Sequence, residues 1–149
     1  MKNSCTLDLL LRLAGERTAL AARQLTSADA KQHQALARRE LLSQLQQEYD
    51  RRMASALATG VRMHGWQNFA SFTKKVDRAV LGQQQIVKDA ELKHRQALRE
   101  WQQQRQQEMR IETLAKRAHE RERVAAARQE QGLMDEYAAA AARRLSGHG

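Results

Sequence analysis

Proline is absent from all 149 residues, and cysteine occurs once, at Cys5. Without proline, nothing obliges a long helix to kink or stop. A lone cysteine excludes an internal disulfide and a thiolate metal site, and makes a reduced, cytosolic setting the default expectation. Aromatic residues are only 4% of the chain, too few large side chains for a compact globular core of this length. No stretch approaches the ~20 apolar residues that span a bilayer. The apolar run near the start, MKNSCTLDLLLRLAGE, is interrupted by Asp8 and Arg12 and lacks a signal-peptide core.

Catalytic patterns are missing as well. The five histidines (33, 64, 94, 119 and 148) are scattered, and His119-Glu120 lacks the second histidine of a zinc-binding helix. There is no phosphate-binding glycine loop, and no Ser or Cys nucleophile has a neighbouring base pattern. The sequence therefore predicts no enzyme, no metal and no cofactor, and the function is read as binding.

What is present is helix-forming. Ala, Leu, Gln, Arg and Glu dominate. Charged residues are 29%, the net charge is +9 and the pI is near 10.4. The basic residues come as isolated pairs (Arg38-Arg39, Arg51-Arg52, Lys74-Lys75, Arg143-Arg144), with Glu40, Asp50, Asp77 and Glu130 nearby. That spacing reads as a solvated helix surface. Arg12, Arg17, Arg23, Arg38 and Arg39 lack the interleaved aromatics that stack on bases, and no helix-turn-helix or zinc-finger signature occurs. A nucleic-acid partner is thus not expected. A basic coiled-coil adaptor for nucleic acid or anionic membrane is the alternative from another class, with binding that falls steeply with salt. A homodimeric structural coiled coil is a further alternative, with concentration-dependent melting.

The chain is organised around TGVRMHGWQNFASFTKKV, residues 59–76. Gly60 and Gly65 predict a break, and Trp66, Phe69 and Phe72 follow at intervals of three. Before it, a first helix is predicted over about 4–58, capped by Ser4 or Thr6. One heptad position reads Leu7, Ala14, Ala21, Ala28, Ala35, Leu42, Tyr49, Ala56, with Leu11, Thr18, Leu25, Gln32, Arg39, Leu45 and Met53 between. Such a run predicts a coiled coil with a thin, alanine-lined seam, about 80 Å long at 1.5 Å per residue. A second helix is predicted over about 66–145, ending in a frayed SGHG. Its seam reads Phe69, Val76, Gln83, Ala90, Ala97, Gln104, Ile111, Ala118, Ala125. A second position is Phe72, Ala79 and Ile86, drifting to His94, Trp101, Glu108 and Ala115. Gln83 and Gln104 cost stability but fix register, and Gly82 is a weak point.

A turn near residue 61 pairs positions whose numbers sum to roughly 121. Tyr49 then faces Phe72, Leu45 faces Val76, Leu42 faces Ala79, and Ser4 lies beside Arg117. The second helix overhangs the first by about 27 residues, or about 40 Å. Such an alanine-rich helix is marginal alone, so a partner is expected there. Near the turn, Trp66 and Phe69 are read as packing that locks it, and Phe72 and Val76 as an apolar docking patch. The fold predicted is all-α: one domain, a long antiparallel two-helix coiled coil with a C-terminal overhang.

Three stretches carry a resemblance: LQQEYDRRMASALATGVRMHGWQNFASFTKKVDRAV, ALREWQQQRQQEM and GLMDEYAAAAARR. In order and spacing they resemble the FliJ family of flagellar type III export proteins. The resemblance implies a non-enzymatic coiled-coil stalk. It would bind the hexameric ring of the flagellar export ATPase through the end that carries the termini. It would also contact the cytoplasmic domain of the membrane export gate, and assist export chaperones. The family's gate-binding patch matches Leu42, Leu45, Tyr49, Phe72, Val76 and Ala79, while Arg38 and Gln83 depart from its edges. For the ATPase, the terminal segment offers Leu7, Leu11, Arg12, Arg17 and Arg23. The implied location is cytoplasmic, peripheral to the inner-membrane export apparatus. The equivalent stalk of a virulence type III secretion system is the nearest rival, separable by gene neighbourhood.

Overall fold

The computed structural model describes residues 2–60 and 62–147. They form two α-helices, α1 (Lys2–Thr59) and α2 (Met63–Ser146). This is the all-α, antiparallel helical hairpin predicted by the heptads. Contacts divide the chain into two compact units. Unit 1 holds residues 1–19 and 103–149, and unit 2 holds residues 20–102.

Unit 2 contains the turn. Gly60 has φ of +75°, the left-handed conformation that ends helices at little cost only for glycine. The break needs this one glycine. Gly65 lies inside α2, whose Trp66 amide already donates to the Arg62 carbonyl at 3.1 Å. The predicted turn over 59–65 is therefore shorter than expected (Val61, within it, lies outside the described residues). Beyond the local backbone, a Cβ built on Gly60 or on Gly82 meets nothing within 4 Å. Gly60→Ala is thus expected to lose about 1–2 kcal/mol from the backbone alone. Gly82→Ala, in mid-helix, is expected to gain about 1 kcal/mol. Urea unfolding of the two variants checks both signs.

Along α1 in unit 2, the predicted series Ala21, Leu25, Ala28, Gln32, Ala35, Leu42, Leu45, Tyr49, Met53 and Ala56 is buried or half-buried. Arg39 interrupts it and is exposed. On α2, Phe69, Val76, Gln83, Ala90 and Ala97 line the seam as predicted. The second position does not. Thr73, Val80, Val87, His94 and Trp101 fill it, whereas Phe72, Ala79 and Ile86 sit one residue earlier and are exposed. The steps between successive seam residues alternate strictly between four and three, which is the heptad of a coiled coil. No drift along the helix is needed. Gln83 is 6% exposed, and its Nε2 donates to the Ala35 carbonyl at 2.9 Å. That carbonyl also lies inside a helix ladder, so the bond pins register and leaves no polar atom orphaned. Around it, the small side chains of Ala28, Ala35 and Ala90 leave a furrow of about 600 Å³.

In unit 1, Ser4, Leu7, Leu11, Ala14 and Thr18 of α1 and Gln104, Glu108, Ile111, Ala115, Ala118 and Glu122 of α2 are the buried or half-buried seam positions. Ser4 does not cap the helix, which begins at Lys2. It is buried, and its Oγ donates to Glu122 Oε2 at 2.9 Å. The partner is Glu122, not the region of Arg117, five residues further along α2 than the pairing rule placed it. Ala125, predicted on the seam, is exposed, as is every residue from there to Gly147. The overhang is therefore present in this unit and somewhat shorter than predicted. His148 and Gly149 of the expected frayed end lie outside the described residues.

Candidate functional site

Two groups of side chains were singled out by sequence, and the helices place them differently. In unit 2, the cluster beside the turn is built on Tyr49. Its ring centroid lies 4.5 Å from that of Phe72, at 37° between planes. Phe69 meets the same ring edge-on, at 5.9 Å and 65°. The Arg52 guanidinium sits 5.7 Å from the ring centroid and also bonds Glu48 at 2.7 Å. Beside this cluster, Gln46 Nε2 donates to Asp77 Oδ1 at 2.8 Å, tying α1 to α2. The facing of Tyr49 and Phe72 is as the pairing rule expected.

Exposure differs within the cluster. Phe72 is 42% exposed although it stacks on Tyr49, and Ala79 is exposed. Leu42, Leu45 and Tyr49 are half-buried. Val76 is 5% exposed, so it belongs to the seam, and its expected role as an exposed partner of Phe72 needs correction. Trp66, read as packing that locks the turn, is 36% exposed, while Phe69 is half-buried. Ile86, expected in the seam, is 52% exposed, and sequence reasoning missed Leu41, 64% exposed. Phe72, Ala79 and Ile86 repeat every seven residues, so they form one surface stripe about 20 Å long beside the seam. The signal was available in the spacing; the stripe was assigned to the wrong side of it.

In unit 1, Leu7 and Leu11 are half-buried in the seam, and Arg12 and Arg17 are exposed on its flank. Arg23 belongs to unit 2 and is exposed there. Near Leu7, α1 and α2 are joined by polar bonds. His119 Nε2 lies 2.9 Å and 3.0 Å from the two Asp8 carboxylate oxygens. That hydrogen bond, reinforced by the carboxylate charge, raises the His119 pKa above its ordinary 6.5. The hydrogen bond from the Ser4 hydroxyl is the largest influence holding the Glu122 carboxyl below its ordinary 4.5. One turn along, Arg123 grips Glu120 with Nε at 3.1 Å and Nη2 at 2.6 Å, which lowers the Glu120 pKa.

The pH dependence follows from these signs. His119 binds its proton more tightly when folded, so its contribution is full below 6.5 and is lost as pH rises through the raised value. Glu122 is the reverse: its contribution is present above 4.5 and is lost as pH falls through the lowered value. Both act fully only between the two. Asp8→Asn is expected to return His119 towards 6.5, read by an NMR titration of the ring protons, and to flatten the alkaline limb of stability.

Among the described residues, no cluster of three metal-ligating side chains occurs, and no helix is long and apolar enough to cross a membrane. What the arrangement offers is surface: an apolar stripe anchored by an aromatic stack, and arginines beside a thin seam. No curated protein and no solved structure matched the sequence. A family profile described as Flagellar FliJ protein matches residues 2–146. With that match covering nearly every residue of both helices, the chain belongs to the flagellar FliJ protein family.

Proposed function

We propose that this flagellar export component works without catalysis, as a coiled-coil stalk between the export ATPase ring and the membrane export gate. The observation that carries the reading is Phe72. A large aromatic residue is held 42% exposed by its stack on Tyr49, at the head of the Phe72–Ala79–Ile86 stripe. Large apolar residues lined up on a helix surface suit docking of a protein partner. Leu42, Leu45 and Tyr49 complete the gate-binding surface from α1, and Val76 supports it from beneath. The segment bearing Leu7, Leu11, Arg12, Arg17 and Arg23 meets acidic groups of the ATPase hexamer. Binding at both sites couples ATP turnover to secretion, and the exposed helix surfaces also receive export chaperones. The protein then works in the cytoplasm, peripherally held at the inner-membrane export apparatus, and neither nucleic acid nor a cofactor takes part.

The test is co-purification with the flagellar export ATPase and with the cytoplasmic domain of the gate, with ATPase rates measured in parallel. Wild type is expected to bind both and to accelerate the ATPase. Phe72→Ala is expected to keep its helicity and ATPase binding but to weaken gate binding about thirtyfold, as loss of an aromatic anchor does, and to abolish motility. Full motility in that variant would overturn the docking assignment. Absence of ATPase binding by the wild type would overturn the stalk.

A further inference from the structure

The furrow in unit 2 is bordered by unequal charge. Its floor is made of small side chains, Ala28 and Ala35 of α1 and Ala90 of α2, beside the Gln83 amide that bonds Ala35. Three exposed cations line its rims, Lys31 and Arg38 from α1 and Lys93 from α2. Among the described residues, no ion pair engages any of the three. One carboxylate, Asp89, also lines the furrow, and it accepts a hydrogen bond from Gln85 of its own helix at 3.1 Å.

The heptad puts the cations where one ligand meets them all. Lys31, Arg38 and Lys93 each follow a seam alanine (Ala28, Ala35 and Ala90) by three residues, so all three stand on the same side of the antiparallel pair. The Gln83–Ala35 bond sets the register, with Lys31 opposite Ile86 and Lys93 opposite Gln24. Arg38, Lys31 and Lys93 therefore succeed one another along the furrow at steps of about 10 Å, two on one rim and one on the other. That step is one heptad of a helix. The alanine floor between the rims leaves room for side chains larger than its own.

We propose that the furrow seats a third helix: an amphipathic segment of a partner protein, with large apolar residues on the alanine floor and acidic residues on both flanks. Helix-in-groove docking uses the floor for affinity and the rim charges for partner choice and register. A nucleic acid would meet the cations but has nothing with which to fill the floor. The assignment uses none of Leu42, Tyr49 or Phe72, so it stands apart from the gate surface.

Fluorescence anisotropy with the full chain at near-physiological salt tests this. The ligand is a labelled synthetic helix of about three heptads, with a leucine stripe flanked by glutamates. A second peptide carries lysines in place of the glutamates, and a third keeps the glutamates but has glutamines in place of the leucines. The wild-type chain is expected to bind the first at least about tenfold more tightly than either other peptide. Lys31→Glu with Arg38→Glu is expected to reverse the preference, weakening the glutamate peptide at least about tenfold and gaining the lysine peptide. Arg95→Glu with Arg99→Glu makes the same change in total charge on exposed residues outside the furrow, and is expected to leave the preference as in the wild type. Equal weakening by the two double variants would mean attraction to the net charge of the chain, and overturns the proposal. So does a glutamate peptide that does not bind below about millimolar concentration, or a duplex DNA that binds the wild type more tightly than that peptide and is lost in the Lys31→Glu, Arg38→Glu variant.

Discussion

Tyr49→Ala is expected to cost about 3 kcal/mol of stability, more than any other single truncation near the turn. The Tyr49 ring joins three neighbours. It stacks on Phe72 at 4.5 Å, takes the edge of Phe69 at 5.9 Å and lies under the Arg52 guanidinium at 5.7 Å. Each aromatic pair is worth about 0.5–1.5 kcal/mol beyond the area it buries. The exposed cation–π contact adds about 0.5 kcal/mol. Truncating a large core ring costs about 3–5 kcal/mol, and half-burial of Tyr49 brings that towards the lower end. Tyr49→Phe keeps every ring contact and is expected to stay within about 0.5 kcal/mol of wild type. Urea unfolding of both variants, followed by circular dichroism, gives the comparison. A Tyr49→Ala loss below about 1 kcal/mol would mean that the cluster rests on the surface without holding the helices.

The second large effect contrasts two adjacent residues. Val87→Asp is expected to lose about 3 kcal/mol or more, and Ile86→Asp less than about 0.5 kcal/mol. Val87 is 3% exposed and Ile86 52%. A carboxylate at position 87 must lose its water without a cation to meet it, or prise the helices apart. At position 86 it reaches solvent directly. The opposite ranking would restore the seam through Phe72, Ala79 and Ile86 and overturn the one described here.

That contrast also marks where the sequence was legible. On α1, a small or apolar residue occupies nearly every seam position, so the period and its face could both be read. On α2 the period was legible but the face was not. The larger apolar residues Phe72 and Ile86 lie on the flank, while the seam holds Thr73, His94 and Glu108. Hydrophobicity points the wrong way by one residue, and only extending the strict heptad back from Trp101 through Val87 and Val80 recovers it. The Tyr49–Phe72 contact followed from simple counting about the turn. The same counting missed Glu122 as the partner of Ser4, because no local pattern announces a bond between residues so far apart in sequence. Gly60 and Gly65 likewise look equivalent in sequence, and the backbone angle at Gly60 decides between them.

Among the described residues, no large side chain is fully buried, and the most hidden positions are alanines, valines and the polar Ser4, Thr18 and Gln83. Heat capacity of unfolding scales with the apolar surface newly hydrated. The value per residue is therefore expected to fall below the roughly 12–15 cal/mol/K usual for globular domains, which scanning calorimetry would read. Enthalpy and entropy of unfolding then change slowly with temperature, and the stability curve is shallow. Both limbs of the curve are then gentle, and a few degrees of warming or cooling are expected to change the strength with which the helices are held only slightly.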